Sequence, residues 1–429
     1  MLWADRDVLR LMCATVVGNQ MVGDPIWLII VTSSSGGKTE LIASLETTQI
    51  DGRHTVFPIS EISPNAFLSG MKRAGVETSL LHKTHPGAIL TFKDFTTLLS
   101  KRIEERIVIF GQLREIYDGS FKKEVGTGDD LKWNGKLGAI AASTEAIHKH
   151  MDEMAMMGHR FIFYTMEQPD RKAVLNLMLD KKEQGIDNKI LRENRAKAMA
   201  SYIEWIVPLA REAQLHLSRE MKDDIVDVAD FCTRARSAVD IDKYKGYINF
   251  VPSKDMPMRM FEQLLQIASA FQAMAIAETG GLKGSEEGGR LSDSDMQLLY
   301  KIAFDSIPVT RRIALKYLAK YNDVTTAGLA TETGYQTPVV GGWLAQLNAL
   351  GICERIKNNG PQGDRWILKP EFKTVVAKFE NIKVVEDSLI DEEILSEGEL
   401  DEQYLEMAYQ KDELVDMAAE RESFNPKEL

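Results

Sequence analysis

Ile26-Trp27-Leu28-Ile29-Ile30-Val31-Thr32-Ser33-Ser34-Ser35-Gly36-Gly37-Lys38-Thr39 decides the fold class. The six apolar residues that follow Asp24-Pro25 are the kind of run that a strand buried on both faces requires. Serines and glycines come next, and then the helical pattern Glu40-Leu41-Ile42-Ala43-Ser44-Leu45, so the stretch reads as strand, loop and helix. In such a unit glycines let backbone N–H groups close around phosphate oxygens at a helix N-terminus, a lysine reaches the β- and γ-phosphates, and a threonine hydroxyl ligates Mg²⁺. Ser35, Gly36, Gly37, Lys38, Thr39 and Glu40 are the expected nucleotide-binding residues, with ATP and Mg²⁺ as the expected cofactors. The pattern places Gly at its first position, where this chain has Thr32. An ordinary βα turn is the competing reading, and the context on both sides favours the phosphate loop.

Outward from this unit, Asp5–Val17 reads as a helix closed by Gly18, and further apolar runs occur at Ala88–Phe92 and Leu137–Ala142, separated by helical patterns such as Ile103–Tyr117. Strands alternating with helices imply an α/β domain with a mostly parallel sheet. The chain is almost wholly helical in pattern from Pro169 to Ala277, and Gly280, Gly281, Gly284, Gly288 and Gly289 then read as a linker. The expected division is an ATPase core over 1–168, a helical lid over 169–280, a linker and compact module over 281–376, and an acidic tail over 377–429.

A phosphate loop needs a metal-orienting carboxylate at the end of a neighbouring strand. Ala88-Ile89-Leu90-Thr91-Phe92-Lys93-Asp94 supplies Asp94, so Thr39 and Asp94 are the expected metal ligands. The usual pattern is Asp followed by Glu. Here either Phe95 replaces that Glu, or Asp94 takes the second position and Lys93 the first, which leaves the water-positioning residue open, with Glu115 as a candidate. Asp94 also suits a helix N-cap ahead of Thr96-Thr97-Leu98-Leu99, and the two roles are compatible.

With 429 residues and 44% hydrophobic composition the chain is too long for one ordinary core and too apolar to be disordered throughout. Cys13, Cys232 and Cys353 lie too far apart in sequence for a disulfide framework or a paired-cysteine metal site, and they suit a reducing cytosol. No apolar run approaches the ~20 residues that span a bilayer, so no membrane partner is expected. The net charge of −12 averages two regions. Glu386–Leu429 holds 16 of the 64 acidic residues and 3 of the 52 basic ones, which leaves 49 basic against 48 acidic residues before it. The acidity belongs to the tail, and it does not exclude nucleic acid from the body.

Thr310–Tyr321, the segment from Thr325 to Gly334, and Thr337–Leu350 read as three helices, and Gly351–Ile356 and Arg365–Leu368 as two strands about a turn at Asn358–Gly363. That order spells a winged helix. From Ser306 to Val376 there are 9 Lys/Arg against 5 Asp/Glu. Arg355, Lys357 and Arg365 on the wing are candidate phosphate contacts, whereas Thr337, Gln346 and Asn348 are few for base reading. Protein–protein use of such a module is the alternative.

Three further pieces occur in order. Leu137-Gly138-Ala139-Ile140-Ala141-Ala142-Ser143-Thr144 resembles the sensor-1 strand of AAA+ ATPases, Gly158-His159-Arg160-Phe161 their arginine-finger segment, and Pro257-Met258-Arg259-Met260-Phe261-Glu262-Gln263-Leu264 the sensor-2 helix of MCM-like helicases. The chain to Phe372 is similar to AAA+ ATPases of phages and mobile elements, including the segment Gln112–Gly119. The resemblance implies an α/β P-loop core with an all-α lid, ATP hydrolysis, a homo-oligomeric ring such as a hexamer, and residence in the cytoplasm of a bacterial host. It implies that Thr144 senses the γ-phosphate, Arg160 acts on a neighbouring subunit's nucleotide and Arg259 closes the lid. It also places a DNA-contacting hairpin ahead of sensor 1. Phe121–Trp133 fits one, with Lys122, Lys123 and Lys132 to track single-stranded or forked DNA and Trp133 either stacking or packing. The expected function is a replicative helicase. A helicase loader, or a DNA-binding regulatory module with a degenerate nucleotide site, is the alternative. The tail would mimic DNA, dock a replication partner, or simply extend as a solubilising segment.

Overall fold

The computed structural model describes residues 5–34, 36–69, 72–73, 76–77, 79–124, 130–151, 154, 158–168, 170–213, 215–241, 248–250, 255–279, 291–321, 323–358 and 363–384. Residues 1–384 form one compact unit and 385–429 a second, and only the first contains described residues. Five strands build the central sheet: β1 (Trp27–Val31), β2 (Val56–Ile59), β3 (Ala88–Phe92), β4 (Leu137–Ser143) and β5 (Ile162–Thr165). All pair in parallel, in the spatial order β5-β1-β4-β3-β2. Every residue of β1, β3 and β4 is buried, which is why these segments read as unbroken apolar runs. β2 carries Pro58, which a central strand would not tolerate, and it lies at the sheet edge.

One face of the sheet packs against helix α3 (Ile103–Tyr117), whose buried Ile109, Phe110, Leu113, Ile116 and Tyr117 recur at helical spacing. Trp27 anchors this layer. Its indole N–H donates to the Leu137 carbonyl at 2.8 Å, and Tyr117 meets it edge-on at 5.2 Å. α1 (Asp7–Gln20) packs against the sheet, its residues from Leu11 to Asn19 all buried. α1 continues through Gly18, where a stop was expected. A Cβ there would stand 2.5 Å from Ile26 Cδ1 and 3.5 Å from Ala270 Cβ, so Gly18 serves close packing inside the helix.

α1 packs in turn against α7 (Met258–Glu278) and α5 (Asn188–Glu212), and α6 (Arg219–Arg236) packs on α7. α4 (Arg171–Glu183) precedes them and buries no residue. Asp170, Asp187 and Ser218 cap α4, α5 and α6 by accepting from first-turn amides at 2.7–3.2 Å.

α8 (Asp293–Asp305), expected beyond the linker with the C-terminal module, instead packs along β5. The Ser306 hydroxyl accepts from the Phe163 amide at 3.0 Å, and the Asp305 carboxylate accepts from the Thr165 amide at 2.8 Å. Side chains thereby complete the ladder of an edge strand that would otherwise present unpaired donors. Beyond it, α9 (Val309–Tyr321), α10 (Thr326–Thr333) and α11 (Thr337–Ala349) pack with a three-stranded antiparallel sheet of β6 (Val324–Thr325), β7 (Cys353–Ile356) and β8 (Arg365–Leu368), in the order β6-β8-β7. α12 (Pro370–Ala377) follows. Phe372 and Phe379 pack on Phe231, and Phe379 stacks on Phe304 at 4.7 Å, so the packed chain runs past 377, where the tail was expected to begin.

Candidate functional site

The carboxyl ends of parallel strands open together at one edge of the sheet, where ligand crevices of α/β folds form. Here the ends of β1, β4, β3 and β5 are tied to one another. The Thr32 amide donates to Ser143 O (3.1 Å), Phe95 to Ala142 O (2.8 Å) and Met166 to Val31 O (2.8 Å). The glycine loop therefore leaves β1 already fixed to the strand that carries Thr144. Thr32, which departs from the expected glycine, is 4% exposed and packs under the loop.

Within the loop the Gly36 amide donates to Ser33 O at 3.0 Å, and Gly37 takes φ +86°, which suits glycine. Lys38 begins the helix α2 (Lys38–Ala43). A Cβ on Gly36 would lie 2.3 Å from Thr32 Oγ1 and 3.0 Å from Ser33 O, so alanine there must displace the buried Thr32 side chain under the loop. Gly36→Ala is expected to lower nucleotide affinity at least tenfold, read as binding of a fluorescent ATP analogue; unchanged affinity would remove the loop from the site. Ser35 lies outside the described residues.

Lys38 Nζ lies 3.7 Å from Asp94 Oδ2. The other Asp94 oxygen accepts from the Thr96 amide at 3.0 Å and from the Thr96 hydroxyl, so Asp94 caps the turn after β3 and faces Lys38 at once. The N-cap position itself is Phe95, so Asp94, expected there, steadies the turn from one residue earlier. Lys93 points elsewhere and pairs with Glu46 at 2.7 Å. Phe95, where a second carboxylate would stand, is fully buried. Thr39 is exposed on the first turn of α2, and Thr144 sits half-buried just past β4.

Four expected residues make other bonds or lie away from the loop. Glu40 bonds Arg192 and lies 3.7 Å from Arg195, so its carboxyl, held below its usual range by the Arg192 bond, ties the loop helix to α5 and not to a nucleotide. Glu115, offered as a water-positioning group, lies near the C-terminal end of α3 beside Asp118 and Lys132, away from the loop. Arg160, expected to reach a neighbouring subunit, is 2% exposed and bonds Asp118 at 2.6 and 2.9 Å over the Tyr117 ring. It stands just before β5, at the edge opposite the loop. Arg259 is at that opposite edge too, exposed at the start of α7, where its guanidinium donates to the Gly158 carbonyl at 3.2 Å. In this chain it does not close over the glycine loop.

A carboxylate that the sequence reading passed over lies at the loop edge. Glu145 follows Thr144, and burial raises its pKa while Gln168 bonds it at 3.3 Å. A partly desolvated carboxyl beside a strand end is a feature that marks candidate sites, but only the fold brings it there.

The hairpin of Ser120–Glu124 and Asp130–Asn134 forms as expected, its turn at 125–129 lying outside the described residues. Lys122 and Lys132 are directly opposite each other and exposed, and Lys122 pairs with Glu124 at 3.3 Å. Lys123 differs. It donates to Asn65 Oδ1 at 2.7 Å and Leu68 O at 3.1 Å. Trp133 is 9% exposed and belongs to the core, so it packs and does not stack on a base.

On the C-terminal module Arg355 pairs with Asp364 and lies over Trp366, and Arg365 pairs with Asp323. Their charges are already matched within the module. Lys357 is exposed. Gln346 accepts from Arg311, which also bonds the Ala235 and Ser237 carbonyls at the end of α6 and so holds the module to that helix.

Among the described residues no cluster of three or more His, Cys, Asp or Glu could hold a metal by itself, and no helix is long and apolar enough to cross a membrane. No protein-family model matches this sequence, and no curated protein matches it either.

Proposed function

We propose that the chain is an ATP-hydrolysing motor of AAA+ type that acts on DNA as a ring of like subunits. The observation that carries this reading is the Lys38–Asp94 approach of 3.7 Å at the carboxyl edge of a parallel sheet in which β4, followed by Thr144, runs between the loop strand β1 and β3, the strand ahead of Asp94. The approach of a loop lysine to a carboxylate at the edge where β4 also ends supports a triphosphate-binding reading. Lys38 draws charge from the γ-phosphate, Asp94 orients the metal, and Thr144 contacts the departing phosphoryl oxygens. Mg²⁺ on Thr39 and Asp94 would supply neutralisation of the charge developing between the β- and γ-phosphates.

DNA is the partner favoured by the exposed Lys122 and Lys132, which stand opposite each other on the hairpin. The module over 309–368, read as a winged helix, adds exposed Lys357, and its matched arginines contribute less than the sequence alone implies. The test is ATP turnover with and without single-stranded DNA, coupled to strand displacement on a fork. Lys122→Ala with Lys132→Ala is expected to leave the melting temperature undiminished, to abolish DNA stimulation, and to reduce the salt slope of DNA binding by about 2. An unchanged slope would exclude the hairpin.

A second reading is favoured by the burial of Phe95 in place of a carboxylate: a DNA-binding switch that binds ATP without turning it over. Nucleotide binding with no hydrolysis, with or without DNA, would select it.

A further inference from the structure

Three strand ends stand level at the loop edge. Val31, the last residue of β1, pairs in register with Ser143 of β4 on one side and with Thr165 of β5 on the other. Glu145 is the second residue beyond β4, and Gln168 the third beyond β5. Neighbouring strands lie about 4.8 Å apart, so β4 and β5, with β1 between them, are separated by about 10 Å. The Gln168 amide nevertheless donates to Glu145 Oε1 at 3.3 Å. A bond over that gap brings both groups in towards the line of β1. The Glu145 carboxyl therefore stands beside the point where β1 gives way to Thr32, Ser33 and the glycine loop.

The other acidic groups of this edge are engaged. Phe95, fully buried, stands where a second carboxylate would follow Asp94. Asp94 gives one oxygen to the Thr96 amide and turns the other to Lys38. Arg192 donates to Glu40, and Lys93 pairs with Glu46. Glu145 differs from all of these. Its one described bond comes from the neutral Gln168, and no cation among the described residues pairs with it. The Gln168 bond fixes one oxygen and leaves Oε2 to accept from something else. Burial raises the carboxyl above its ordinary range and outweighs the Gln168 bond, which works the other way. The group is thereby a better proton acceptor than a fully solvated carboxylate.

We propose that Glu145 is the catalytic residue that holds the water attacking the γ-phosphate and accepts its proton, with Gln168 as the positioning residue that aims it. The inference rests on the hydrolytic reading of the glycine loop. The water oxygen bonds to the γ-phosphorus, the bond from that phosphorus to the β–γ bridging oxygen breaks, and its electron pair leaves on ADP. The water proton passes to the Glu145 carboxylate, and from there to solvent as inorganic phosphate departs. The base that the chain lacks after Asp94 is supplied from the end of the next strand in the sheet.

The experiment measures ATP turnover and ATP affinity of the full chain, with single-stranded DNA present, for Glu145→Gln and Glu145→Asp. Glutamine keeps the side-chain length and an oxygen that accepts from Gln168, so a purely structural role would survive it. Loss of the proton acceptor is expected to cut kcat at least about 100-fold, the scale of general-base catalysis, with ATP affinity within about threefold of wild type. Glu145→Asp keeps the charge and should turn over faster than Glu145→Gln. Gln168→Leu should lower kcat and leave KM unchanged. Turnover by Glu145→Gln within about tenfold of an active wild type overturns the proposal and leaves the hydrolytic reading standing. A loss of ATP affinity that matches the loss of turnover makes the pair a brace for the loop, and overturns the proposal too. A wild-type chain that binds ATP without turning it over, with or without DNA, overturns the hydrolytic reading and this proposal together.

Discussion

Lys38→Ala is expected to reduce ATP turnover at least about 100-fold while leaving the protein folded, the scale of loss when one preorganised positive group is removed from a charge-developing transition state. Two features make the outcome clean. The Lys38–Asp94 approach is 3.7 Å with Asp94 40% exposed, so the pair contributes about 0–1 kcal/mol to stability and its loss does not threaten the fold. The loop itself is held by Thr32 to Ser143 and by Gly36 to Ser33, bonds that do not involve the lysine. Asp94→Asn is the companion variant. Its amide oxygen still accepts from the Thr96 amide, so the turn after β3 is kept while the anion is lost. It should bind ATP near normally and turn it over as poorly as Lys38→Ala. Turnover within tenfold of wild type in Lys38→Ala, measured by phosphate release with single-stranded DNA present, would move the chemistry away from this edge.

Where the sequence and the structure agree, the agreement has a local cause. Strands β1, β3 and β4 are buried on both faces, so their apolar runs are visible without any tertiary knowledge, and the expected 88–92 and 137–142 differ from the observed elements by at most one residue. The hairpin arms and the helices and strands over 309–368 were legible for the same reason, since each is defined by turn residues and periodicity inside a short window. β2 was missed because four residues with Pro58 at an edge carry little periodic signal. The failures at the site are of another kind. Glu40, Arg160, Arg355 and Arg365 are assigned by the sequence to outside ligands, and their bonds depend on partners that only folding supplies. Arg192 lies 152 positions from Glu40, and Asp118 lies 42 from Arg160. Glu145 was passed over because its position beside the loop depends on β4 running between β1 and β3.

The most damaging single change to stability is expected at Asp305, far from the loop in sequence but joined to its sheet. Its carboxylate is fully buried and meets three demands. Oδ1 accepts from Arg312 at 2.6 Å, and Oδ2 accepts from Lys301 at 2.9 Å and from the Thr165 amide at 2.8 Å. Arg312 is itself 1% exposed, so Asp305→Ala would leave a buried guanidinium uncompensated and an edge amide of β5 unpaired. The expected loss is about 3–5 kcal/mol by denaturant unfolding, the range for breaking one side of a buried pair. Removing both charges is a different perturbation. Asp305→Leu with Arg312→Met fills the same space and strands only Lys301, which at 14% exposure is less buried than Arg312, and should recover part of the single-variant loss. Because β5 lies beside β1 and the Met166 amide bonds the Val31 carbonyl next to the loop, Asp305→Ala should also weaken ATP binding, whereas the double variant, with its edge amide still unpaired but its buried guanidinium gone, should restore stability further than it restores affinity. A loss below 1 kcal/mol for Asp305→Ala would mean that solvent or a rearranged side chain replaces the carboxylate, and that α8 does not seal the edge strand through this group.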